Sequence, residues 1–483
     1  DRALRARAPH VGANVHSRKG IRLGRRRTLF IVVALLLCAG VYLAPTPENL
    51  TREGQSAIAV FALCFVLWVT QALPLAVTSL FAIVLLPLLG AIPATRAFAL
   101  FGRPVIFFIL GAFILAAALM RCGLSTRLAV LFLRRFGSSP RTLLAGVIFS
   151  GGFLAFWMPE HAVAALLFPI VLEIARALDI PPLRSSYGKA LFLALAWGAV
   201  AGGVATFLGG ARAPLALGIL GEHYGQTIGF LEWMIAVAPF SVVMMFVIYF
   251  ALPRLFRQDI ENVARARQAL DRKARELGPV SRREKGVAIV TVATIVAWVS
   301  AGQSIGLAAV SMLSAVSLFV FNLIDWRSVE EYVNWGVILM YGGAIALAYS
   351  LHDTGGARFI AEVVLSRASG LSPYWLMILF AVLAAFLTEA ISNVAAVALL
   401  LPICFGVAEG NGLSPIPIVF AVAVPAGLAF ALPMGTPPNA IAYSAGYHRL
   451  RDSILAGSLL KVAALVLFAL VARFYWPLLG IGG

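Results

Sequence analysis

Charged residues are scarce in this sequence, and their scarcity excludes an ordinary soluble protein. Only 12% of the 483 residues are Asp, Glu, Lys or Arg, whereas 61% are hydrophobic. Soluble domains carry about 25% charged residues, so this chain has too few to cover a water-exposed surface. Its apolar runs are continuous and recur in pieces of about 20 residues, the length that crosses a hydrocarbon core. The composition therefore predicts an all-α polytopic membrane protein.

Cysteines and metal-binding patterns are also few. The four cysteines are scattered through apolar stretches without pairing or metal-ligand spacing. The sequence contains no His-x-x-Glu-His pattern and no filter-like motif of a channel. We therefore expect no disulfide framework and no organic cofactor. We also expect the protein to be neither an enzyme nor a channel.

The charge that is present is strongly positive and unevenly placed. The net charge is +17, and much of it lies in residues 2–27 and 254–285, which flank apolar spans. Basic segments beside membrane spans mark the cytoplasmic side and attract anionic lipid. We expect a basic cytoplasmic tail over 1–27, a cytoplasmic amphipathic linker over 254–286, a bacterial plasma (inner) membrane location, and lipid rather than nucleic acid as the partner.

The apolar runs predict about eleven transmembrane helices and two re-entrant hairpins. Two apolar stretches, 143–178 and 375–407, are each too long for one span and are interrupted by polar residues at the middle. A hairpin that enters and leaves on the same side fits each of them, and we place these hairpins at 140–180 and 372–408. With the basic segments inside, the N-terminus is expected in the cytoplasm and the C-terminus outside.

The two halves of the sequence resemble each other. Residues 159–170 align with 392–403, with six identical pairs that include a shared Pro-Ile ending. Because the two hairpins are expected to open to opposite sides, the repeats are inverted: residues 28–104 form N-terminal scaffold spans, 105–253 the first repeat and 287–483 the second. Inverted repeats with broken helices place substrate and ion sites near the bilayer midplane, so transport is the favoured class of function.

Specific motifs lie in the second repeat. They are Thr388-Glu389, Ser392-Asn393 and Gly435-Thr436-Pro437-Pro438-Asn439. At these residues the sequence resembles the divalent anion/sodium symporter family of dicarboxylate, citrate and sulfate transporters. The resemblance implies a homodimer, an elevator-type movement of a transport domain against a scaffold, and two hairpin tips that bind two sodium ions and the anion.

The first repeat departs from the family pattern. Its hairpin tip reads Pro159-Glu160-His161, and its helix break, 209–213, contains Arg212. On the family alignment Glu160 takes an Asn position, His161 a Thr position and Arg212 a Pro position. In the second tip Val394 replaces a hydroxyl-bearing residue.

The resemblance implies two sets of site residues. The substrate-binding set is Glu160, His161, Arg212, Ser392, Asn393, Val394, Pro437 and Pro438. The set for one sodium ion in the second half is Ser392, Asn393, Gly435, Thr436 and Asn439.

An unpaired charge in the membrane is costly, so we expect Arg212 and Glu160 to pair, with Arg212 in place of the first sodium ion. An alternative places Arg212 at a water-filled rim or in contact with a neighbouring carbonyl. His161 is either a proton carrier or a structural hydrogen-bonding residue, and Glu389 is expected to stabilise its hairpin.

The sequence leaves several functions open. The favoured one is secondary active transport of a di- or tricarboxylate or an inorganic oxyanion, coupled to one sodium ion, to a proton through Glu160 and His161, or to obligate exchange. A sodium- or proton-coupled antiporter with Glu160 as the proton carrier is the competing transporter. A non-transporting membrane sensor is the alternative from a different class.

Overall fold

Helices form nearly all of the regular structure of the chain in this computed structural model. The structure describes residues 13–365 and 371–481, and no strand occurs within them. The prediction of an all-helical chain is confirmed. Most of the predicted basic tail lies outside the residues whose side chains are described, because these begin at residue 26.

Six helices precede the first hairpin. They are α1 (Ala13–Leu43), α2 (Arg52–Thr70), α3 (Leu75–Leu88), α4 (Ala94–Ala99), α5 (Pro104–Arg121) and α6 (Leu124–Phe136). Two of their ends follow from local sequence. Thr51 caps α2, where its hydroxyl accepts a hydrogen bond from the Gly54 amide at 3.0 Å. Pro104 is the first residue of α5, where a missing N–H costs nothing.

The next six helices contain the first hairpin, a broken helix and the linker. They are α7 (Pro140–Ala155), α8 (Glu160–Ala177), α9 (Ser186–Gly202), α10 (Arg212–Tyr224), α11 (Phe230–Leu255) and α12 (Ala264–Glu276). The linker helix α12 buries Ala266, Ala269 and Leu270 and packs on α6 and α8, as an amphipathic helix does.

The remaining helices contain the second hairpin and a second broken helix. They are α13 (Arg282–Ala301), α14 (Leu307–Val320), α15 (Trp326–Tyr332), α16 (Trp335–Asp353), α17 (Gly356–Leu365), α18 (Pro373–Ala390), α19 (Asn393–Gly410), α20 (Pro415–Ala423), α21 (Pro437–Ser444) and α22 (Leu450–Leu470). Both predicted hairpins are therefore helix–turn–helix units with short turns.

The described residues contain nine helical segments that are long and apolar enough to cross a membrane, and three shorter apolar helices. Large apolar side chains point outward from these helices; Ile289, Leu313 and Leu478 are among the most exposed. Such a surface suits lipid rather than water. The multi-pass architecture is thus supported, while the count of eleven spans stays a prediction.

Helices from the two halves pair reciprocally. The first-half helix α3 packs along the second-half helix α16, and α14 packs along α5. In the first pair Gly343 lies so close to the Ser79 backbone that a Cβ would overlap it, and in the second Gly111 lies as close to Ser311. Gly343 and Ser311 each follow their counterparts Gly111 and Ser79 by 232 residues. The same close contact is therefore made twice, once from each half.

Candidate substrate and ion site

Two helices are interrupted close to the hairpin tips. Between α9 and α10 the backbone is unwound over 203–211, and between α20 and α21 it is irregular over 424–436 apart from one short 3₁₀ turn. Glycines lie at both ends of the first interruption, at 203 and at 209–210, and Pro433 and Pro437 lie near the end of the second. Glycine and proline both disfavour a continuous helix, which explains why the chain unwinds here. We call these segments the first break and the second break.

The two tips and the two breaks surround one cavity of about 790 Å³. Its wall also includes the turn between α2 and α3, the first turns of α16, and Arg27. Nine of the predicted site residues line it: Glu160, His161, Arg212, Ser392, Asn393, Val394, Gly435, Thr436 and Pro437. Pro438 and Asn439 are not among its lining residues.

Four helices begin at this cavity. α8, α10, α19 and α21 start at the lining residues Glu160, Arg212, Asn393 and Pro437. The N-terminal end of a helix carries a partial positive charge and free N–H groups, both of which favour an anion. The arrangement therefore suits a negatively charged ligand.

Glu160 connects three of the elements around the cavity. Its Oε1 accepts hydrogen bonds from Asn393 Nδ2 at 3.3 Å and from Thr436 Oγ1 at 3.1 Å, and its Oε2 pairs with Arg212 Nη1 at 3.3 Å. Its backbone N–H donates to Gly209 O at 2.9 Å. The predicted ion pair between Glu160 and Arg212 is therefore present.

Arg212 occupies a slot made by glycines of both breaks. Its side chain is only 2% exposed, and a Cβ on Gly210 or on Gly427 would overlap the guanidinium group. Within the described residues its Nη2 atom has no hydrogen-bond partner. A buried guanidinium donor without a partner is costly. The positive charge of Arg212 lies at the cavity wall, where it favours an anion.

Three oxygen atoms converge beside the second tip. Thr388 Oγ1 lies 2.6 Å from Asn393 Oδ1 and 2.7 Å from the carbonyl oxygen of Ala426. A hydroxyl carries one proton, so it can donate to only one of these two acceptors. A cation would satisfy all three oxygens, and these donors fit a sodium ion. The family resemblance did not place Thr388 or Ala426 among the predicted sodium ligands.

Other predicted sodium ligands make hydrogen bonds within the protein. The Ser392 hydroxyl caps α19 by accepting from the Ala395 amide at 3.2 Å. Asn439 Nδ2 donates to the carbonyls of Ala429 at 2.9 Å and Leu432 at 3.2 Å, so it holds the second break in shape. The structure therefore places Asn439 behind the cavity wall.

Glu389 stabilises the second break, and its buried partner was not predicted from the sequence. Its carboxylate accepts from the backbone amides of residues 430, 431 and 432 at 3.0, 3.0 and 2.8 Å. Lys461 of α22, which is also buried, pairs with the same carboxylate and donates to the Ala385 carbonyl. A lysine within an apolar span is the signal that could have found this pair.

His161 stands apart from these networks. It lines the cavity next to Glu160, and its ring makes no hydrogen bond with any residue of the described chain. A role as a structural hydrogen-bonding residue therefore has no partner to support it. Val394 lines the cavity from the other tip and presents an apolar surface.

Comparisons with known proteins agree on a family. A family model described as the sodium:sulfate symporter transmembrane region matches residues 25–481. The chain is 28% identical over 490 residues to the sodium-dependent dicarboxylate transporter SdcS of Staphylococcus saprophyticus, covering 96% of this chain and 92% of that protein. It is 29% identical over 458 residues to SdcS of Staphylococcus aureus, covering 89% and 88%.

Two solved structures have a similar fold. MtrF of Neisseria gonorrhoeae superposes with a TM-score of 0.55 at 16% identity, covering 93% of this chain and 94% of that one. The YdaH transporter of Alcanivorax borkumensis superposes with a TM-score of 0.51 at 15% identity, covering 78% and 86%. At such low identity the likeness is one of fold alone.

Proposed function

This chain belongs to the sodium:sulfate symporter family, and from that premise we propose that it is a secondary active transporter of a di- or tricarboxylate or an inorganic oxyanion. Its relatives are named as transporters and not as enzymes. The observation that carries the proposal is the cavity itself, where four helix N-termini and the Arg212 guanidinium meet. Both features favour a bound anion.

The charge of Arg212 replaces a sodium ion in the first half of the site. Arg212 is permanently charged and lines the cavity, and its partner Glu160 lies on the first tip. A built-in cation can stabilise the anion without a soluble ion. His161, which makes no hydrogen bond within the described ranges, contacts the cargo together with the apolar Val394. The site therefore differs from one in which both hairpin tips carry hydroxyl groups.

One sodium ion binds in the second half. Thr388 Oγ1, Asn393 Oδ1 and the Ala426 carbonyl would hold it, and its charge would stabilise the anion next to Ser392 and Thr436. Glu389, Lys461 and Asn439 keep the second break in the conformation that presents these atoms.

Transport proceeds by an elevator-type alternating access in a homodimer. Both hairpins and both broken helices, α7–α11 and α18–α22, form the mobile group that carries the cargo site. The reciprocal pairs α3–α16 and α5–α14 form the fixed group. The N-terminus is in the cytoplasm, the C-terminus outside, and the membrane is the bacterial plasma membrane.

Counterflow uptake into proteoliposomes tests this function. Vesicles preloaded with one of a panel of dicarboxylates, tricarboxylates, sulfate and phosphate are assayed in sodium, in potassium and with a pH step. Exchange of at least one of these anions, stimulated by sodium, is expected. Absence of flux under every gradient with a correctly folded protein would instead favour a sensor.

The paired variant Glu160→Asn/Arg212→Pro tests the built-in cation. It restores neutral residue types at both positions, so transport should depend more steeply on sodium than in the wild type. Retained activity with an unchanged sodium dependence contradicts the role of Arg212. Vesicle acidification by a sodium gradient without any organic anion would instead favour the antiporter.

A further inference from the structure

A second arginine lines the cargo cavity, and it belongs to a different part of the fold from Arg212. Arg27 forms part of the cavity wall and lies at the start of the membrane-crossing segment of α1, Arg26–Leu43. Helix α1 packs along α2, and α2 packs on α3 and α16 of the fixed group. Arg212, by contrast, is the first residue of α10 in the mobile group. The two arginines therefore reach the cavity from opposite groups.

Arg27 marks the mouth of the cavity. The connection 44–51 joins α1 to α2 at their far ends, so Arg27 lies at the same end of this helix pair as the lining turn 71–74. Asn334, which directly precedes α16, also lines the wall. The side chain of Arg27 is exposed, whereas that of Arg212 is only 2% exposed. The cavity therefore opens on the side of the protein where α1 begins.

Arg27 supplies the excess positive charge of the cavity wall. Apart from His161, the ionisable residues that line the cavity are Arg27, Glu160 and Arg212. Arg212 and Glu160 are paired at 3.3 Å, and their formal charges cancel. Among the side chains that the structure describes, none forms an ion pair or a hydrogen bond with the Arg27 guanidinium. The charge of Arg27 is thus the one that a protein carboxylate does not offset here.

Its position at the membrane surface does not by itself explain Arg27. Arginines are common where a helix enters the membrane from the cytoplasm, and this accounts for Arg26 and Arg27 equally. Of these two neighbours, however, Arg27 lines the cavity and Arg26 does not. A guanidinium group can bind a carboxylate through two parallel N–H groups, and a charge at the mouth of a cleft raises the local concentration of anions. Arg27 is therefore placed to bind the cargo.

We propose that Arg27 is a second anion-binding residue, which contacts one carboxylate of a di- or tricarboxylate while the Arg212 side of the cavity holds another. This inference rests on the proposed function and narrows its substrate class, because a cargo with two separated charged groups can use both arginines at once. Since Arg27 belongs to the fixed group, its contact exists only while the cavity opens on this side. Arg27 therefore raises the affinity for the cargo in this conformation alone.

Uptake measured separately from each side of the membrane tests the contact, in proteoliposomes that hold the protein in one orientation. Arg27→Gln should raise the KM for a dicarboxylate about tenfold on the side of the N-terminus, and it should leave the KM on the opposite side unchanged. Arg27→Lys keeps the charge and should fall between this variant and the wild type. Arg26→Gln is the matched control, because it removes the same charge one residue away. An unchanged KM in Arg27→Gln, or an equal rise in Arg26→Gln, overturns the proposal.

Thermal unfolding in detergent measures the same contact without flux, because a bound anion raises the Tm of the folded protein. For a given rise in Tm, Arg27→Gln should need about tenfold more dicarboxylate than the wild type or Arg26→Gln. With sulfate, which has a single charged group, the difference should be smaller. The same dicarboxylate requirement in Arg27→Gln and the wild type overturns the proposal. A rise in Tm that depends on Arg27, without uptake of any anion, contradicts the proposed transport but supports the Arg27 contact.

Discussion

Glu160 and Asn393 occupy equivalent positions in the two hairpin tips, 233 residues apart, and they touch: Asn393 Nδ2 donates to Glu160 Oε1 at 3.3 Å. Equivalent residues of the two repeats are therefore in direct contact. One tip contributes a carboxylate where the other contributes an amide, so the site is symmetric in backbone but not in charge. This asymmetry is what Arg212 balances, and it is the basis for the first prediction.

Glu160→Gln should destabilise the protein more than most single substitutions. It leaves the Arg212 guanidinium buried without an anion, and breaking a buried pair costs about 3–5 kcal/mol. Unfolding in detergent, followed by tryptophan fluorescence, measures the loss. Arg358→Met removes an exposed pair with Glu362 and should cost only about 0.3–0.5 kcal/mol.

The double variant Glu160→Gln/Arg212→Met should recover most of that stability, because no unpaired charge remains. If Glu160→Gln alone is as stable as the wild type, the ion pair does not hold the two breaks together.

Gly427→Ala should weaken anion binding. A Cβ at this position overlaps Arg212 Nε, so the guanidinium must leave its slot. We expect the apparent KM for the transported anion to rise about tenfold, since loss of a favourable charge at the binding site is worth about 1.4 kcal/mol or more. Gly40→Ala, where a Cβ meets open space, is the control and should leave the KM unchanged. A normal KM in Gly427→Ala would place the guanidinium outside the binding site.

Thr388→Val should impair sodium activation. It removes the hydroxyl shared by Asn393 Oδ1 and the Ala426 carbonyl, and we expect the half-saturating sodium concentration to rise about tenfold. Thr388→Ser keeps the hydroxyl and should stay close to the wild type. Thr70→Val, whose hydroxyl bonds only within its own helix, is the matched control. An equal sodium response in Thr388→Val and Thr388→Ser rules out this oxygen as a ligand.

His448 should make the stability of the protein depend on pH. The pKa of His448 is lowered from 6.5 to about 4, mainly by burial. Two nearby charges have smaller effects: Asp452 raises the pKa and Lys189 lowers it further. At pH values between about 4 and 6.5, the unfolded state then binds more protons than the folded state. The free energy of unfolding should therefore fall by about 3 kcal/mol as the pH drops from about 6.5 to about 4.

His448→Gln should lose this slope, as measured by thermal unfolding in detergent at a series of pH values. The same slope in the variant would assign the pH dependence to other groups.

Much of the local structure could be predicted from the sequence. The interrupted apolar stretches, with Pro159 and Ser392 at the tips, predicted two hairpins, and the glycines and prolines predicted the breaks. The cost of an unpaired charge in an apolar chain, together with the family resemblance that placed Glu160 and Arg212 at one site, favoured their pairing over the alternatives for Arg212.

Contacts between distant segments could not be predicted in this way. Lys461 pairs with Glu389 and Thr436 donates to Glu160 across 276 residues, and nothing local in either segment specifies its partner. Likewise, His223 and His352 lie in separate helices whose approach depends on how the two halves pack. Periodicity and propensity describe single elements, whereas these contacts are properties of tertiary packing.

The glycine–serine contacts made once from each half bear on the origin of the chain. Because α3 packs on α16 and α14 packs on α5, neither half alone can form either of these two helix pairs. Fragments separated within residues 256–263, between α11 and α12, should be degraded when expressed singly and should reassemble when produced together. An ancestor of one repeat would then have been stable only as two associated polypeptides, and gene fusion would have made that partnership permanent.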